Sequence, residues 1–149
     1  MQVRRSLVPL CAVLLLAACA SAPTRSPQIP AEITIDLAAS PTRAHDQIAA
    51  AFSANGLPVS TSQPGVVEFR AARERGVLGY YEVFARAVIV PADCGTHVTL
   101  YGEETHYANA SALQGAATRI GPSSNGRAAE IWRRLQAVAA TLRADSTRA

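Results

Sequence analysis

The chain has 149 residues, of which 49% are hydrophobic and 17% are charged, and this length allows one domain with an apolar core of its own. All fourteen basic residues are Arg; without Arg4 and Arg5, twelve basic and eleven acidic side chains remain, a net charge of +1. This balance excludes the basic surface that nucleic-acid-binding proteins need.

The first eighteen residues have the composition of a secretory signal peptide. Arg4 and Arg5 give a short positive start, and an almost unbroken apolar run extends from Leu7 to Ala18. A run of this length is too short to cross a bilayer, and no stop-transfer pattern follows it. Residues 1–18 are therefore predicted to be removed from the mature protein.

The end of this segment, Leu16-Ala17-Ala18-Cys19, resembles the lipobox of bacterial lipoproteins. The resemblance implies that the Cys19 thiol is diacylated with fatty acids such as palmitate, and that cleavage occurs just before it. The alternative is an ordinary signal peptide with a Cys near its cleavage site. In lipoproteins of diderm bacteria, a residue other than Asp after the Cys, here Ala20, implies release to the outer membrane. The expected location is the cell envelope, anchored by lipid in the outer membrane and facing the periplasm.

A short linker separates this anchor from the folded part. Residues 19–30 contain the lipidated Cys and a stretch that is rich in Pro, Ser and Ala and has no apolar period, which predicts a tether. Removal of the signal leaves 131 residues, and residues 31–149 are predicted to form a single α+β domain. Cys94 is the one Cys of that domain, so it could be buried and inert or form an intermolecular bond.

A strand and an amphipathic helix open the domain. Ser40 is a predicted N-cap, Pro41 suits the first helical position, and Asn55-Gly56 is a stop signal. The strand alternates apolar residues at Ile33, Ile35 and Leu37. The apolar stripe of the helix consists of Ala44, Ile48, Ala51 and Phe52.

Four strand patterns follow, separated by short turns. Gln63-Pro64-Gly65 fits a type II turn, and Gly76 and Gly79 bracket the next reversal. Inward positions are predicted at Leu57, Val59, Thr61, Val67, Phe69, Ala71, Tyr81, Val83, Ala85, Ala87, Ile89, Val98 and Leu100. Consecutive strands with short turns favour an antiparallel meander.

A long helix is predicted at the end of the chain. The segment before it, Tyr107 to Ile120, is weakly patterned and could hold a short helix. The apolar stripe of the final helix consists of Ala128, Ile131, Trp132, Leu135, Val138, Ala139 and Leu142. Its solvated side is predicted to carry Arg127, Arg133, Arg134 and Arg143.

The element order β-α-β-β-β-β-α predicts an α+β fold in which a single antiparallel sheet of about four to five strands has two helices packed on one face. From Ser40 to Leu142, the arrangement resembles the helix-grip-like domains of BamC-type outer-membrane lipoproteins. The matching segments are Gly56-Leu57-Pro58-Val59, Val66-Val67-Glu68-Phe69, Gly95 to Leu100 and the closing helix. Proteins of that family carry two such domains, whereas this chain has one.

Motifs for catalysis are absent from the sequence. It has no G-x-S-x-G elbow, phosphate loop, H-E-x-x-H or C-x-x-C, so no catalytic, cofactor-binding or metal-binding residue is predicted. A zinc site of His97 and His106 with Glu103 or Glu104 is one alternative, and a Cys94/His97 nucleophile pair is another. A solvated strand end fits better than the zinc site, because neither spacing is diagnostic. The Cys94/His97 pair is disfavoured because residues three apart across a strand start point to opposite faces and no third group is evident.

Two surface clusters could bind a partner. Arg70, Arg73 and Arg75 with Glu68 and Glu74 could form an anion site, although a charged hairpin that blunts a sheet edge fits the pattern better. An aromatic contact patch at Tyr80 and Tyr81 is a second option, the alternative being that both tyrosines pack the core and its rim.

The expected function is that of a non-catalytic envelope lipoprotein that binds a protein partner or assists an outer-membrane assembly, without a cofactor. The alternative is a domain that binds a small hydrophobic ligand or lipid in a groove between helix and sheet, and an enzyme or metal-binding protein ranks third. A large apolar pocket beneath Trp132 would favour ligand binding. A filled core with an exposed aromatic patch would favour a protein partner.

Overall fold

The alternating strands of the sequence meet in one antiparallel sheet, with two helices packed against it. The computed structural model describes residues 31–147; the predicted signal peptide, Cys19 and the tether lie outside the described residues. The elements are β1 (Glu32–Leu37), α1 (Pro41–Ala54), β2 (Thr61–Gln63), β3 (Val66–Arg70), β4 (Glu74–Gly76), β5 (Gly79–Ala92), β6 (Gly95–Tyr107), β7 (Ala116–Ile120) and α2 (Gly126–Ser146).

The α+β class and the single antiparallel sheet are confirmed, but the predicted strand number is wrong. The described sheet has seven strands in the order β1-β6-β5-β3-β2, with β4 also paired to β5 and β7 also paired to β6. Short strands share an edge of a long neighbour: β1 pairs with the first half of β6 and β7 with its second half, as β3 and β4 do along β5. The pattern of apolar residues did not reveal β4 and β7, which lengthen these edges.

An extra residue separates β3 from β4. Arg70 pairs with Phe84 and Glu74 pairs with Tyr81, so three residues lie opposite two of β5. Such a bulge moves the following side chains to the other face of the sheet. Glu74 consequently points towards α2, where it forms an ion pair with Arg127.

The predicted boundaries of α1 are confirmed. The Ser40 side chain accepts a hydrogen bond from the Arg43 backbone N–H, Pro41 is the first helical residue, and Asn55 is the C-cap. Gly56 follows with a positive φ of 72°, and its carbonyl oxygen accepts a hydrogen bond from the Arg134 guanidinium. Arg134 therefore ties α2 to the end of α1, while its side chain remains partly exposed on the solvated side that the sequence predicts.

Both helices and the inward side of the sheet form one hydrophobic core. The predicted stripe of α2 is buried throughout, and the inward positions of β5 and β6 are confirmed. Leu135 and Val138 of α2 share the core with Phe52 of α1 and Leu100 of β6, all fully buried. The opposite side of the sheet has neither helix over it, and we call it the open face.

The short helix considered between Tyr107 and Ile120 is wrong. β6 continues to Tyr107, and Ala116–Ile120 forms the edge strand β7 against it. Of the five β7 residues, Ile120 is buried and the others are exposed, so the segment shows no apolar alternation. Pairing with β6 rather than local preference determines its conformation.

Candidate functional site

The centre of the open face is a buried carboxylate. Glu68 is 5% exposed although it lies on the side of the sheet away from the helices. Its Oε2 accepts a hydrogen bond of 2.7 Å from Arg86 Nε on the neighbouring strand β5. Its Oε1 accepts one of 3.1 Å from Arg70 Nε, two residues along β3.

Charge balance fixes these side chains in place. Burial by itself would lower the pKa of the Arg86 guanidinium, but the hydrogen bonds that it donates to Glu68 and to Tyr101 raise that pKa above its ordinary value. The pKa of Arg70 is raised in the same way, against burial, by the hydrogen bonds and charges of Glu68 and Glu82. Both arginines stay charged at any physiological pH, so the buried carboxylate keeps its partners.

Aromatic rings surround the two arginines. The Phe84 ring lies between them, with its centroid 5.7 Å from the Arg70 guanidinium carbon and 5.0 Å from that of Arg86. Arg86 Nη1 donates a hydrogen bond of 3.1 Å to the Tyr101 hydroxyl, and Arg119 of β7 stacks on the Tyr101 ring at 3.8 Å. We call this group the Arg–aromatic cluster; its members are Glu68, Arg70, Phe84, Arg86, Tyr101 and Arg119.

The cluster offers binding chemistry. Guanidinium groups of Arg70 and Arg119 remain partly exposed and keep donors for carboxylate or carbonyl oxygens of a partner, while Phe84 and Tyr101 supply apolar area. Arg and Tyr are enriched among the residues that dominate binding at protein interfaces. This cluster could not be predicted from the sequence, because Glu68 has the position of an ordinary outward residue in an alternating strand.

A groove also lies between α2 and the sheet. It has a volume of about 370 Å³ and is lined by three large apolar or aromatic residues and four charged ones: Phe69, Tyr81, Ile131, Glu74, Arg127, Glu130 and Arg134. Glu74 and Arg127 form an ion pair there, and the Tyr81 hydroxyl donates a hydrogen bond of 2.9 Å to Glu74. The groove is separate from the pocket considered beneath Trp132: that side chain lines a different hollow of about 260 Å³ on the outer side of α2, together with Pro122, Ala129, Arg133 and Gln136.

The residues considered for a metal site lie far apart. His97 and His106 stand nine residues apart on the same strand, about 30 Å in an extended chain. His97 Nδ1 lies 2.7 Å from the Asp36 carboxylate, and His106 Nε2 lies 3.6 Å from that of Glu104. Within residues 31–147, no group of three or more His, Cys, Asp or Glu side chains is placed to hold a metal ion. The zinc alternative is therefore wrong for this pair of histidines.

The Cys94/His97 pair does not assemble either. Cys94 is a free, exposed thiol in the turn between β5 and β6. His97 is bound to Asp36 across the neighbouring strand, which gives its Nδ1 a partner other than the thiol.

The three arginines considered for an anion site are dispersed. Arg70 belongs to the Arg–aromatic cluster, and Arg75 is exposed on β4. Arg73 Nη1 donates hydrogen bonds of 2.7 and 3.0 Å to the carbonyl oxygens of Ala110 and Ala112, and its guanidinium stacks on Tyr107 at 3.6 Å. These contacts tie the loop after β6 to the β3–β4 edge.

The two neighbouring tyrosines considered for a patch take different sides. Tyr81 faces α2, and its hydroxyl donates a hydrogen bond to Glu74. Tyr80, the second residue of β5, points to the opposite face of the sheet, where its neighbours in register are Arg75 and Tyr107. A joint patch of Tyr80 and Tyr81 is therefore wrong.

A Ser-His-Asp sequence of contacts joins α1 to the β2–β3 hairpin. Ser62 Oγ lies 2.9 Å from His45 Nε2, and His45 Nδ1 lies 3.3 Å from Asp46 Oδ1, beside a groove of about 240 Å³. The Asp46 side chain is 77% exposed, so water competes for the carboxylate that would have to orient the imidazole. The arrangement fits a polar link between helix and hairpin better than an activated nucleophile.

No protein-family model matches this chain, and no curated protein matches it at a significant level. No helix among residues 31–147 has the length and apolarity that a membrane crossing requires.

Proposed function

We propose that the chain is a non-catalytic lipoprotein of the bacterial cell envelope, anchored through lipid on Cys19, that binds a protein partner at the outer membrane through the Arg–aromatic cluster. The observation that carries the proposal is a sheet face without a covering helix, on which arginines and aromatic rings are held around a buried Glu68.

The anchor follows from the start of the sequence. A positive n-region, an apolar run and Leu16-Ala17-Ala18-Cys19 occur in the order that bacterial lipoproteins use. Two or more acyl chains would hold the protein far more firmly than one. The eleven residues from Ala20 to Pro30 would then place the domain close to the bilayer.

The geometry of the cluster favours binding to a protein. Side chains that are already ordered lose little conformational freedom when a partner docks. Arg86 and Tyr101 meet this condition, since both take part in hydrogen bonds within the sheet. The similarity to BamC-type lipoproteins adds an expectation of a role in outer-membrane assembly.

Site-specific photocrosslinking in cells tests this interface. A photoreactive residue at Thr99, on the open face beside Tyr101, should capture a protein that mass spectrometry identifies. The same photoreactive amino acid in place of Arg133, which is exposed on the outer side of α2, should not capture that protein. Arg119→Ala should weaken the Thr99 product. Equal products from both positions, or a Thr99 product that Arg119→Ala leaves unchanged, would contradict the interface.

The groove of about 370 Å³ is the place for a second candidate function, the binding of a small molecule between α2 and the sheet; its three large apolar side chains and four charged ones suit a ligand with both apolar and charged groups. Such a ligand would contact the Glu74–Arg127 ion pair, because both residues line the groove. Native mass spectrometry of protein purified from membranes should then show a bound small molecule that Ile131→Trp, which fills the groove, removes.

A further inference from the structure

The hairpin between β4 and β5 places aliphatic side chains where turns usually carry polar ones. Gly76 pairs with Gly79, so Val77 and Leu78 form its two-residue loop, and they are 100% and 98% exposed. Such loops favour Asn, Asp and Gly. A folded protein gains no stability from a fully exposed Val-Leu pair at this position, which indicates an external contact.

A third exposed aliphatic residue lies at the same end of the sheet. Leu113 is 95% exposed in the loop between β6 and β7. β5 begins at this end and β6 finishes there, since Tyr80 pairs with Tyr107. We call Val77, Leu78 and Leu113 the apolar tip.

The opposite end of the sheet has a different character. The corresponding two-residue loop between β5 and β6 is Asp93-Cys94, because Ala92 pairs with Gly95. The β2–β3 turn at that end contains Pro64 and Gly65. Among residues 31–147, the three almost fully exposed large aliphatic side chains thus lie at one end of the sheet, and Val90, near the other end, is 49% exposed.

The surroundings of the apolar tip match the chemistry of a lipid headgroup region. Arg75 is exposed one residue before Gly76, and Tyr80 and Tyr107 lie directly behind the loop, partly exposed. Tyrosine and arginine side chains are typical of the boundary between water and acyl chains, where a polar tip and an apolar body are both solvated.

The tether is long enough for the apolar tip to reach the membrane that holds the lipid. The described chain starts beside Tyr101, because Glu32 pairs with it, and Tyr107 lies six residues further along β6, about 20 Å away. The eleven residues from Ala20 to Pro30 can span up to about 40 Å. Lipid and tip can therefore occupy one bilayer at the same time.

We propose that the apolar tip inserts into the phospholipid interface as a second membrane contact, and that it sets the sheet upright on the bilayer. This inference rests on the proposed lipid anchor. With Val77 and Leu78 in the interface, the open face points sideways, along the membrane surface.

Quenching by brominated lipid tests the insertion. The lipidated chain is placed in vesicles of phosphatidylethanolamine and phosphatidylglycerol that also contain phosphatidylcholine brominated in its acyl chains. Val77→Trp adds a fluorophore at the tip, and Asp93→Trp adds one at the matched loop position of the opposite end. Trp132 is buried in the core and serves as the common background.

The inference predicts that the emission added by Val77→Trp is lost in brominated vesicles, whereas that added by Asp93→Trp persists. If the lipidated protein sediments with vesicles but neither position is quenched, the tip proposal is wrong and the anchor stands. Equal quenching at both positions would also overturn it. If the Val77→Trp emission is not quenched because a bound protein covers the loop, the apolar tip is a contact for a protein partner and the membrane proposal is wrong. If the wild-type chain purified from cells carries no fatty acid and does not sediment with vesicles, the anchor and the tip are both refuted.

Discussion

The carboxylate of Glu68 has almost no access to water, so its charge must be balanced within the sheet. Arg70 and Arg86 supply that balance from two neighbouring strands, and the same arginines carry the aromatic contacts of the open face. One buried side chain thus contributes both to stability and to the arrangement of the proposed interface. Its outward position could be predicted from the alternation Val67, Glu68, Phe69, but its burial could not, because that depends on Arg86, eighteen residues later.

Replacement of Glu68 by Gln should therefore destabilise the domain. We expect a loss of about 2 kcal/mol, since the charged hydrogen bonds to two arginines weaken while the side chain keeps its size. Glu103→Gln, one row further along the same face, should stay within about 0.5 kcal/mol. Urea unfolding of both variants provides the comparison. Equal losses in the free energy of unfolding would mean that the buried Glu68 contributes no more to stability than the other carboxylates of the open face.

Ser62 should remain unreactive despite its contact with His45. The exposed Asp46 cannot hold the imidazole as a shielded carboxylate would, so the hydroxyl is not activated. We expect a fluorophosphonate probe to leave the purified protein unlabelled. Labelling that Ser62→Ala abolishes would reveal a nucleophile and refute the non-catalytic assignment.

Elements with a sustained apolar period were predicted well, and elements defined by pairing were not. α2 shows an apolar stripe from Ala128 to Leu142, and α1 has a capping residue at Ser40, so both could be read from local residues. β7 contains one buried residue, Ile120, and β4 has three residues after a bulge, so neither shows a period. Their conformation depends on the long strands β5 and β6 beside them.

The packing of α2 on the sheet gives a test at this scale. Leu135→Ala should cost about 2–5 kcal/mol, because the side chain is fully buried between helix and sheet. Arg133→Ala, two residues earlier and exposed, should change the free energy of unfolding by no more than about 0.5 kcal/mol. Arg133 is a cleaner control than Arg134, which bonds to Gly56. Similar urea midpoints for the two variants would contradict this packing.

The three proposed contacts of the molecule, the lipid, the apolar tip and the Arg–aromatic cluster, lie at different positions on the chain and on the fold. Lipid on Cys19 would hold the chain at the membrane, the apolar tip would orient the sheet, and the Arg–aromatic cluster would face a neighbouring protein. The tip residues Val77 and Leu78 lie at one end of the strands, and the cluster lies on their flat side, so the two contacts do not compete. The sequence alone predicted the anchor and the fold class; the two surfaces needed the strand register.

The proposed location of the protein, its orientation on the membrane and the class of its partner all depend on lipidation of Cys19. The most direct test is metabolic labelling of the full chain with a fatty-acid analogue in a diderm bacterium. We expect the wild type and Cys94→Ser to incorporate the label and Cys19→Ser to remain unlabelled, because the Cys19 sulfur is the atom that carries the lipid. Label retained by Cys19→Ser would contradict the claim.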